Sequence, residues 1–332
     1  MPRSVLDEAR FRDEEAAYAY VEAHVWPNGR VCPHCGVVDR SGALKGKSTR
    51  IGLYKCYACR KPFTVKVGTI FEKSHVSLHL WLQAMHLLSS SKKGISSNQL
   101  HRLLGVDLKT AWFMSHRIRL AMDESGSGPL GGAGAVIESD ETFIGYKEGG
   151  PTWEFHNDGG WQRKRGWGGR NAVLTVVERK GRARSVKLAS TKASDIRGAV
   201  LNNADTKSTL MTDELRAYTN IGKRFAAHEA VNHFEEEWVR GIAHTNTVEG
   251  YFSIFKRGMK GIYQHCAEHH LHRYLCEFDF RYSNRIALGV NDTERTARAI
   301  RGIVGKRLTY RTTNRKAGQA GPAYTAATGR RI

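Results

Sequence analysis

Gly134-Ala-Val-Ile-Glu-Ser-Asp-Glu-Thr-Phe-Ile-Gly145 is the stretch on which the fold turns. Its β-branched and aromatic residues, bounded by glycines, read as a strand from Val136 to Ile144. Side chains alternate along a strand, so Asp140 shares a face with Glu138 and Thr142 and opposes Ile137 and Phe143. Two more strands follow, Ala172 to Glu178 and Arg184 to Leu188, joined through a Lys-Gly-Arg turn as a hairpin. Residues 145–170, rich in Gly, Trp, Lys and Arg, read as a long loop. A helix from about Ser194 to Asn203, a strand ending at Asp213, a short strand from Phe225 to Val231 and a helix carrying Glu249 complete the pattern. Three strands, a helix, a strand and a helix describe an α/β fold, a mixed sheet with flanking helices in the RNase H-like arrangement.

Three acids stand out on that framework. Asp140 lies mid-strand, Asp213 closes the apolar run Ser208-Thr-Leu-Met-Thr-Asp213, and Glu249 follows after 35 intervening residues in Glu249-Gly-Tyr-Phe-Ser-Ile-Phe-Lys256. Glu249 and Lys256 are seven apart, about two helical turns, so both project from one helix face. Carboxylates converging from two strands and a helix suit a pair of Mg2+ or Mn2+ ions, one activating a water or 3′-hydroxyl and the other stabilising the leaving oxygen. Taken singly, Asp140 reads as an exposed strand acid, Asp213 as a helix N-cap and Glu249 as a solvated helix residue. Their order on these elements favours the joint reading. Glu138, on the face of Asp140, is the nearest rival; Glu141 is turned away, and Asn246 lies one turn before Glu249.

The chain is strongly basic. Its 332 residues carry 52 Lys and Arg against 32 Asp and Glu, a formal charge of +20, for which nucleic acid is the default partner. Hydrophobic residues make up 40% of it, enough for a sizeable core. No apolar run approaches the ~18 residues that cross a membrane, and the N-terminus lacks a signal-peptide pattern. A reducing cytoplasm is therefore expected, where paired cysteines more often hold metal than form disulfides. Cys32-Pro-His-Cys35 and Cys56-Tyr-Ala-Cys59 are two such pairs with 20 residues between them. Two residues between ligands let both thiolates of a turn converge on one tetrahedral Zn2+, and the flanking Tyr54, Phe63, Val65 and Val67 supply short strands, so this reads as a zinc ribbon. Cys266 and Cys276 lack a partner at such spacing and read as core thiols.

From Leu78 to Met122 the apolar residues fall at helical spacing. Two short helices are expected either side of Gly105, a helix-turn-helix form in which Lys109, Thr110, His116, Arg117 and Arg119 give the second helix a basic face for DNA. An ordinary helical hairpin is the alternative. The sequence thus divides into an N-terminal helical segment (1–30), zinc ribbon (31–70), helix-turn-helix region (75–124), linker (125–134), catalytic domain (135–290) and basic tail (291–332). From Arg295 to Ile332 there are ten Lys or Arg and no acid, a composition that binds phosphate nonspecifically or stays disordered.

Cys32-Pro-His-Cys-Gly36, Asp140-Glu-Thr-Phe-Ile-Gly145, Met211-Thr-Asp-Glu-Leu-Arg-Ala-Tyr218, Val231-Asn-His233 and Asn246-Thr-Val-Glu-Gly-Tyr-Phe-Ser-Ile-Phe-Lys-Arg-Gly258 carry a resemblance. In these five ordered motifs the chain, from about Phe11 to Arg285, resembles bacterial insertion-sequence transposases of the DDE class, and within them the ISXO-type subgroup with an N-terminal zinc ribbon. The resemblance implies a retroviral-integrase-like RNase H fold with Asp140, Asp213 and Glu249 as metal-binding catalytic acids. It also implies that Lys256 contacts DNA, alongside Lys109 and Arg117 of the helix-turn-helix. The expected partners are double-stranded DNA, as element ends and target, and further copies of the chain in the DNA complex. A metal nuclease of the same fold, such as a resolvase, and a DNA-binding regulator without catalysis are the competing classes.

Overall fold

The computed structural model describes residues 4–148, 153–156, 160–163, 169–231, 235 and 239–309. Asn232 and His233 of the fourth motif, part of the 145–170 stretch and the tail beyond residue 309 lie outside the described residues. The chain forms two compact units, one drawn from Met1–Met85, Leu100–Ala121 and Ala297–Ile332, the other from His86–Gln99 and Met122–Thr296.

In the first unit α1 (Glu14–Val25) precedes a three-stranded ribbon of β1 (Ser41–Ala43), β2 (Tyr54–Cys56) and β3 (Pro62–Phe63), all antiparallel. Asp13 caps α1, its carboxylate accepting from Ala16 N at 2.7 Å. Strands of two and three residues cannot bury a core of their own. The ribbon's apolar content is a small plug in which Trp26 meets Tyr54 and Phe63 edge-on at 6.0 and 5.9 Å, and the Tyr54 hydroxyl donates to Glu22 of α1 at 2.7 Å. Next along the chain come α2 (Leu78–Ser90), α3 (Ser97–Leu104) and α4 (Leu108–Ala121). Gly105, at φ +65°, makes the turn between α3 and α4, a left-handed conformation that glycine adopts without a Cβ penalty.

The second unit is built on one five-stranded sheet. In chain order it holds β4 (Val136–Tyr146), β7 (Arg170–Glu178), β8 (Ala183–Lys187), β9 (Thr209–Thr212) and β10 (Ala227–Ala230), arranged β10-β9-β4-β7-β8. β4, β7 and β8 pair antiparallel, whereas β9 lies parallel to β4 and β10 parallel to β9. Antiparallel strands first, then parallel ones reached through a helical crossover, is the RNase H-like arrangement anticipated from the strand pattern. The helices are α5 (Ala193–Asn203), α6 (Ala217–Gly222), α7 (Asn246–Gly258), continued by a π-helical turn from Met259 to Tyr263, and α8 (Leu271–Ser283); α9 (Asp292–Arg301) ends the described elements. β7 is an interior strand, and residues 171–177 are buried without interruption, so both sheet faces are covered. Leu174 and Val176 join Ile137, Leu210, Ile196 and Tyr218 on one face, while Val173 and Val177 join Val248, Tyr251, Phe255 and Phe278 on the other.

Two stretches differ from the sequence reading. Within 145–170, β5 (Trp153–His156) pairs antiparallel with β6 (Gly160–Arg163); the high glycine content had pointed to a loop. The glycine-rich 125–134 segment is part of the catalytic unit. Leu130 is buried, its N–H donates to Asn203 O at 2.8 Å and its carbonyl accepts from Asp205 N at 2.8 Å. Gly131, at φ +90°, passes so close to Ser208 that a Cβ would meet the hydroxyl at 2.1 Å. Of the four glycines of positive φ between 128 and 134, Gly131 makes this close approach, whereas a Cβ at Gly128, Gly132 or Gly134 would meet nothing within 4 Å.

Leu210 of β9 is fully buried in the α5–α6 core. Leu210→Ala should cost about 2–5 kcal/mol through lost transfer energy and a residual cavity, read from urea unfolding. A loss below about 1 kcal/mol would mean that β9 is not packed as described.

Candidate functional site

The candidate acids Asp140 and Asp213 are placed by sheet register. β4 and β9 pair in parallel with Val136 opposite Thr209, Ile137 opposite Leu210 and Glu138 opposite Met211. Continued by two residues, the register brings Asp140 level with Asp213 on the neighbouring strand, where side chains of like parity point to one face. Asp140 has the parity of Ile144, which packs into the core beneath α7, so both acids belong to the side of the sheet that α7 covers. Glu249 stands in the first turn of α7 and accepts a hydrogen bond from Thr245 Oγ1 at 2.9 Å.

Electrostatics ties these groups together. The Asp140 carboxyl is pushed up to about 8, first by burial, then by the charges of Asp213 and Glu141, with Glu249 adding to the rise; only the Glu141 N–H, donating at 2.6 Å, opposes it. Glu141 itself is raised to about 7, chiefly by burial, and accepts the Tyr218 hydroxyl at 2.5 Å. Sequence parity turned Glu141 away from Asp140, yet at the mouth of a cleft of about 540 Å³ it lines the same opening as Asp140, Asp213, Lys147 and Arg170. Lys256, two turns beyond Glu249, is half-buried; burial lowers its pKa and the charge of Asp140 works against that fall. The donors here are hard carboxylate oxygens, Asp140 and Glu141 among them held back from ionising by burial and neighbouring charge, and such a set fits a divalent cation of the Mg2+ type.

Glu138, the rival on the same strand face, is fully buried and already engaged. Its carboxylate accepts from Arg179 Nε at 2.6 Å, from the backbone of Thr247 and Val248 at 2.8 and 3.0 Å, and from Thr247 Oγ1 at 2.7 Å. Asn246 is the first residue of α7 and is exposed.

In the ribbon, Cys32, Cys35, Cys56 and Cys59 have their sulfur atoms all within 4.8 Å of one another; among the described residues no three or more of the acids are drawn that close. Cys32 Sγ to Cys59 Sγ and Cys35 Sγ to Cys56 Sγ are each 3.7 Å. A tetrahedron of thiolates at the usual Zn–S length of about 2.3 Å has edges of about 3.8 Å, so the cluster fits structural zinc. Cys266 and Cys276 are half-buried rather than core thiols.

The basic face expected on α4 is not there in full. His116, Arg117 and Arg119 are buried. Arg117, counted among the DNA contacts in the sequence reading, donates to the carbonyls of Ile70 at 2.8 Å, Glu72 at 3.1 Å and Leu308 at 3.1 Å, and burial lowers its pKa. It holds three segments of the first unit together and is out of reach of a phosphate. Lys109, in the first turn of α4, is exposed.

A zinc ribbon and an RNase H-like sheet with acids at the level of adjoining β4 and β9 make the arrangement that the resemblance to transposases implied. Residues 129–283 match the family model of the ISXO2-like transposase domain, and residues 12–62 that of the transposase zinc-ribbon domain. Over these two segments the chain is similar to the ISXO2-like transposase family. An uncharacterized protein in transposable element ISH50 of Halobacterium salinarum is 27% identical over 239 residues, 70% of this chain and 78% of that protein. Among solved structures, a pre-cleavage Mos1 transpososome and the Mos1 strand transfer complex are similar at 11% and 12% identity, each covering 66% of this chain and 73% of theirs, with TM-scores of 0.27 and 0.28. Among the described residues, no helix is long and apolar enough to cross a membrane.

Two outcomes follow from this geometry. Cys35→Ser should lose the zinc, whose binding supplies about 10–16 kcal/mol in small zinc modules, and unfold the ribbon while the catalytic unit stays folded. Elemental analysis finding native zinc content in that variant would refute the four-cysteine site. The second concerns Asp140. The folded chain holds its proton more tightly than an unfolded chain, so the stability this gives is complete below the ordinary aspartate value of 3.8 and is lost as pH rises toward about 8. In chelator, Asp140→Asn should melt above the native protein at pH 8 and close to it at pH 5. Equal melting at pH 8 would contradict the crowding.

Proposed function

We propose that this protein is a DNA transposase that binds the terminal inverted repeats of an insertion sequence, cuts at its ends and joins them to target DNA. The observation that carries the reading is the β4–β9 register, which sets Asp140 beside Asp213 on the face covered by the helix that bears Glu249. Asp140, Asp213 and Glu249 would hold Mg2+ or Mn2+, which when bound activates the attacking oxygen and stabilises the leaving one. In the first step a water oxygen attacks the phosphorus, the bond to the 3′-oxygen breaks, and a free 3′-hydroxyl and a 5′-phosphate result. In the second, that 3′-hydroxyl attacks a target phosphate and displaces the target's own 3′-oxygen, so one phosphodiester replaces another without an energy source. Lys256, within the electrostatic reach of Asp140, would bind the phosphate beside the reacting one.

The zinc ribbon and the helix pair around Gly105 would recognise element ends, with Lys109 rather than Arg117 offered to the backbone. The remaining net charge would give nonspecific phosphate affinity that falls with salt. Joining two ends to one target calls for more than one copy of the chain, and the whole reaction belongs in the cytoplasm, at the nucleoid. A resolvase-like nuclease would cut without joining, and a silent regulator would do neither; the crowding of three further carboxylates around Asp140 favours a catalytic site over the regulator.

Asp140→Asn, Asp213→Asn and Glu249→Gln should each lower joining of a labelled end fragment by on the order of 10³-fold or more, and the triple variant should be little worse, because groups that act as a unit are grossly non-additive. Their circular dichroism should match the native protein. Normal joining by Glu249→Gln would refute the assignment.

A further inference from the structure

The helix that carries Glu249 has no cap of its own. Thr245, the residue before α7, makes no side-chain bond to the helix backbone; its hydroxyl points instead to Glu249. The first N–H groups of a helix have no partner within it and need one. On α7 that partner comes from the sheet, since Glu138 Oε2 accepts both Thr247 N and Val248 N, while Oε1 accepts Thr247 Oγ1 and Arg179 Nε. The carboxylate is 0% exposed, and burial without neutralisation would be prohibitive. The helix dipole and the Arg179 guanidinium supply the compensation. Arg179 also donates from Nη1 to Ile242 O at 2.8 Å and from Nη2 to His244 O at 2.9 Å, so it holds the chain that leads into α7.

Glu138 lies two residues before Asp140 on one strand face, and Thr247 two residues before Glu249 in one helical turn. We propose that Glu138, with Arg179 behind it, is a positioning residue that fixes the spacing between Asp140 and Glu249 and so tunes how tightly the site holds its divalent ion. The inference rests on the reading of those two as catalytic acids. Both Glu138 oxygens are occupied by protein donors, so Glu138 is not itself a ligand.

Thr247→Val separates the possibilities, because it removes one donor to Glu138 and touches no acid. In the full-length chain, titrated with Mn2+ alone and followed by electron paramagnetic resonance, Thr247→Val should bind about 10-fold more weakly, the range found when outer-shell partners are removed. Thr247→Ser, which keeps the hydroxyl, should recover most of that affinity. Glu138→Gln should weaken binding further and speed hydrogen exchange at the Thr247 and Val248 amides. Several results would overturn the proposal. One is native Mn2+ affinity in Thr247→Val while Glu249→Gln is dead. Another is a loss in Glu138→Gln with none in Thr247→Val, which would make Glu138 a ligand. A third is a fall that merely follows the folded fraction in urea; if Glu138→Gln does not fold, Thr247→Val decides alone. Normal joining by Glu249→Gln would instead remove the reading beneath it.

Discussion

The parallel pairing of β4 with β9 is the constraint on which the catalytic unit depends. In a parallel pair, a shift of one residue would turn every side chain of one strand to the opposite face. Here such a shift would exchange Leu210 of the α5–α6 core with Met211 on the other face and take Asp213 away from Asp140. The core and the site are therefore fixed by the same register. β7 completes the frame on the other side of β4, contributing Leu174 and Val176 to one core and Val173 and Val177 to the other. With both faces covered, burying a polar group is costly unless it finds a partner. Asp279 illustrates the rule: buried and raised to about 6, chiefly by desolvation, it accepts from Ser185 N, Ser185 Oγ and Tyr251 OH at 2.7, 2.7 and 2.5 Å.

The sheet of the second unit and the ribbon are held by different physics. The catalytic unit has long strands and two cores, and its stability comes from burial of apolar surface. The ribbon has eight strand residues in all, a handful of aromatics and four thiolate ligands, and metal coordination takes the place of a core.

Much of this was legible in the sequence where the signal is local. β4, β7 and β8 announce themselves by β-branched runs, the cysteine spacing names the ribbon, and strand parity puts Asp140 opposite Ile137. The mixed sheet with flanking helices also came through, since only a few topologies suit that pattern of elements. What was hidden depends on residues far apart in the chain. Arg117 looks like a surface cation on a helix, yet its partners, Ile70, Glu72 and Leu308, lie some 45 to 191 positions away. Glu138 looks like a spare acid until Thr247, 109 residues later, is brought to it. Glycine misled in both directions: in 125–134 it marks a close approach to Ser208, and in 145–170 it obscured the pairing of β5 with β6. The short α6 has too few residues to show a periodicity.

A cluster of carboxylates crowded around Asp140 works against the fold that displays it. On the proposed reading, a substitution that removed Asp140 would end the chemistry and relieve repulsion in the same stroke. Copies of such an element that lost this acid would then persist as folded chains, so decay of the activity would not carry decay of the structure with it.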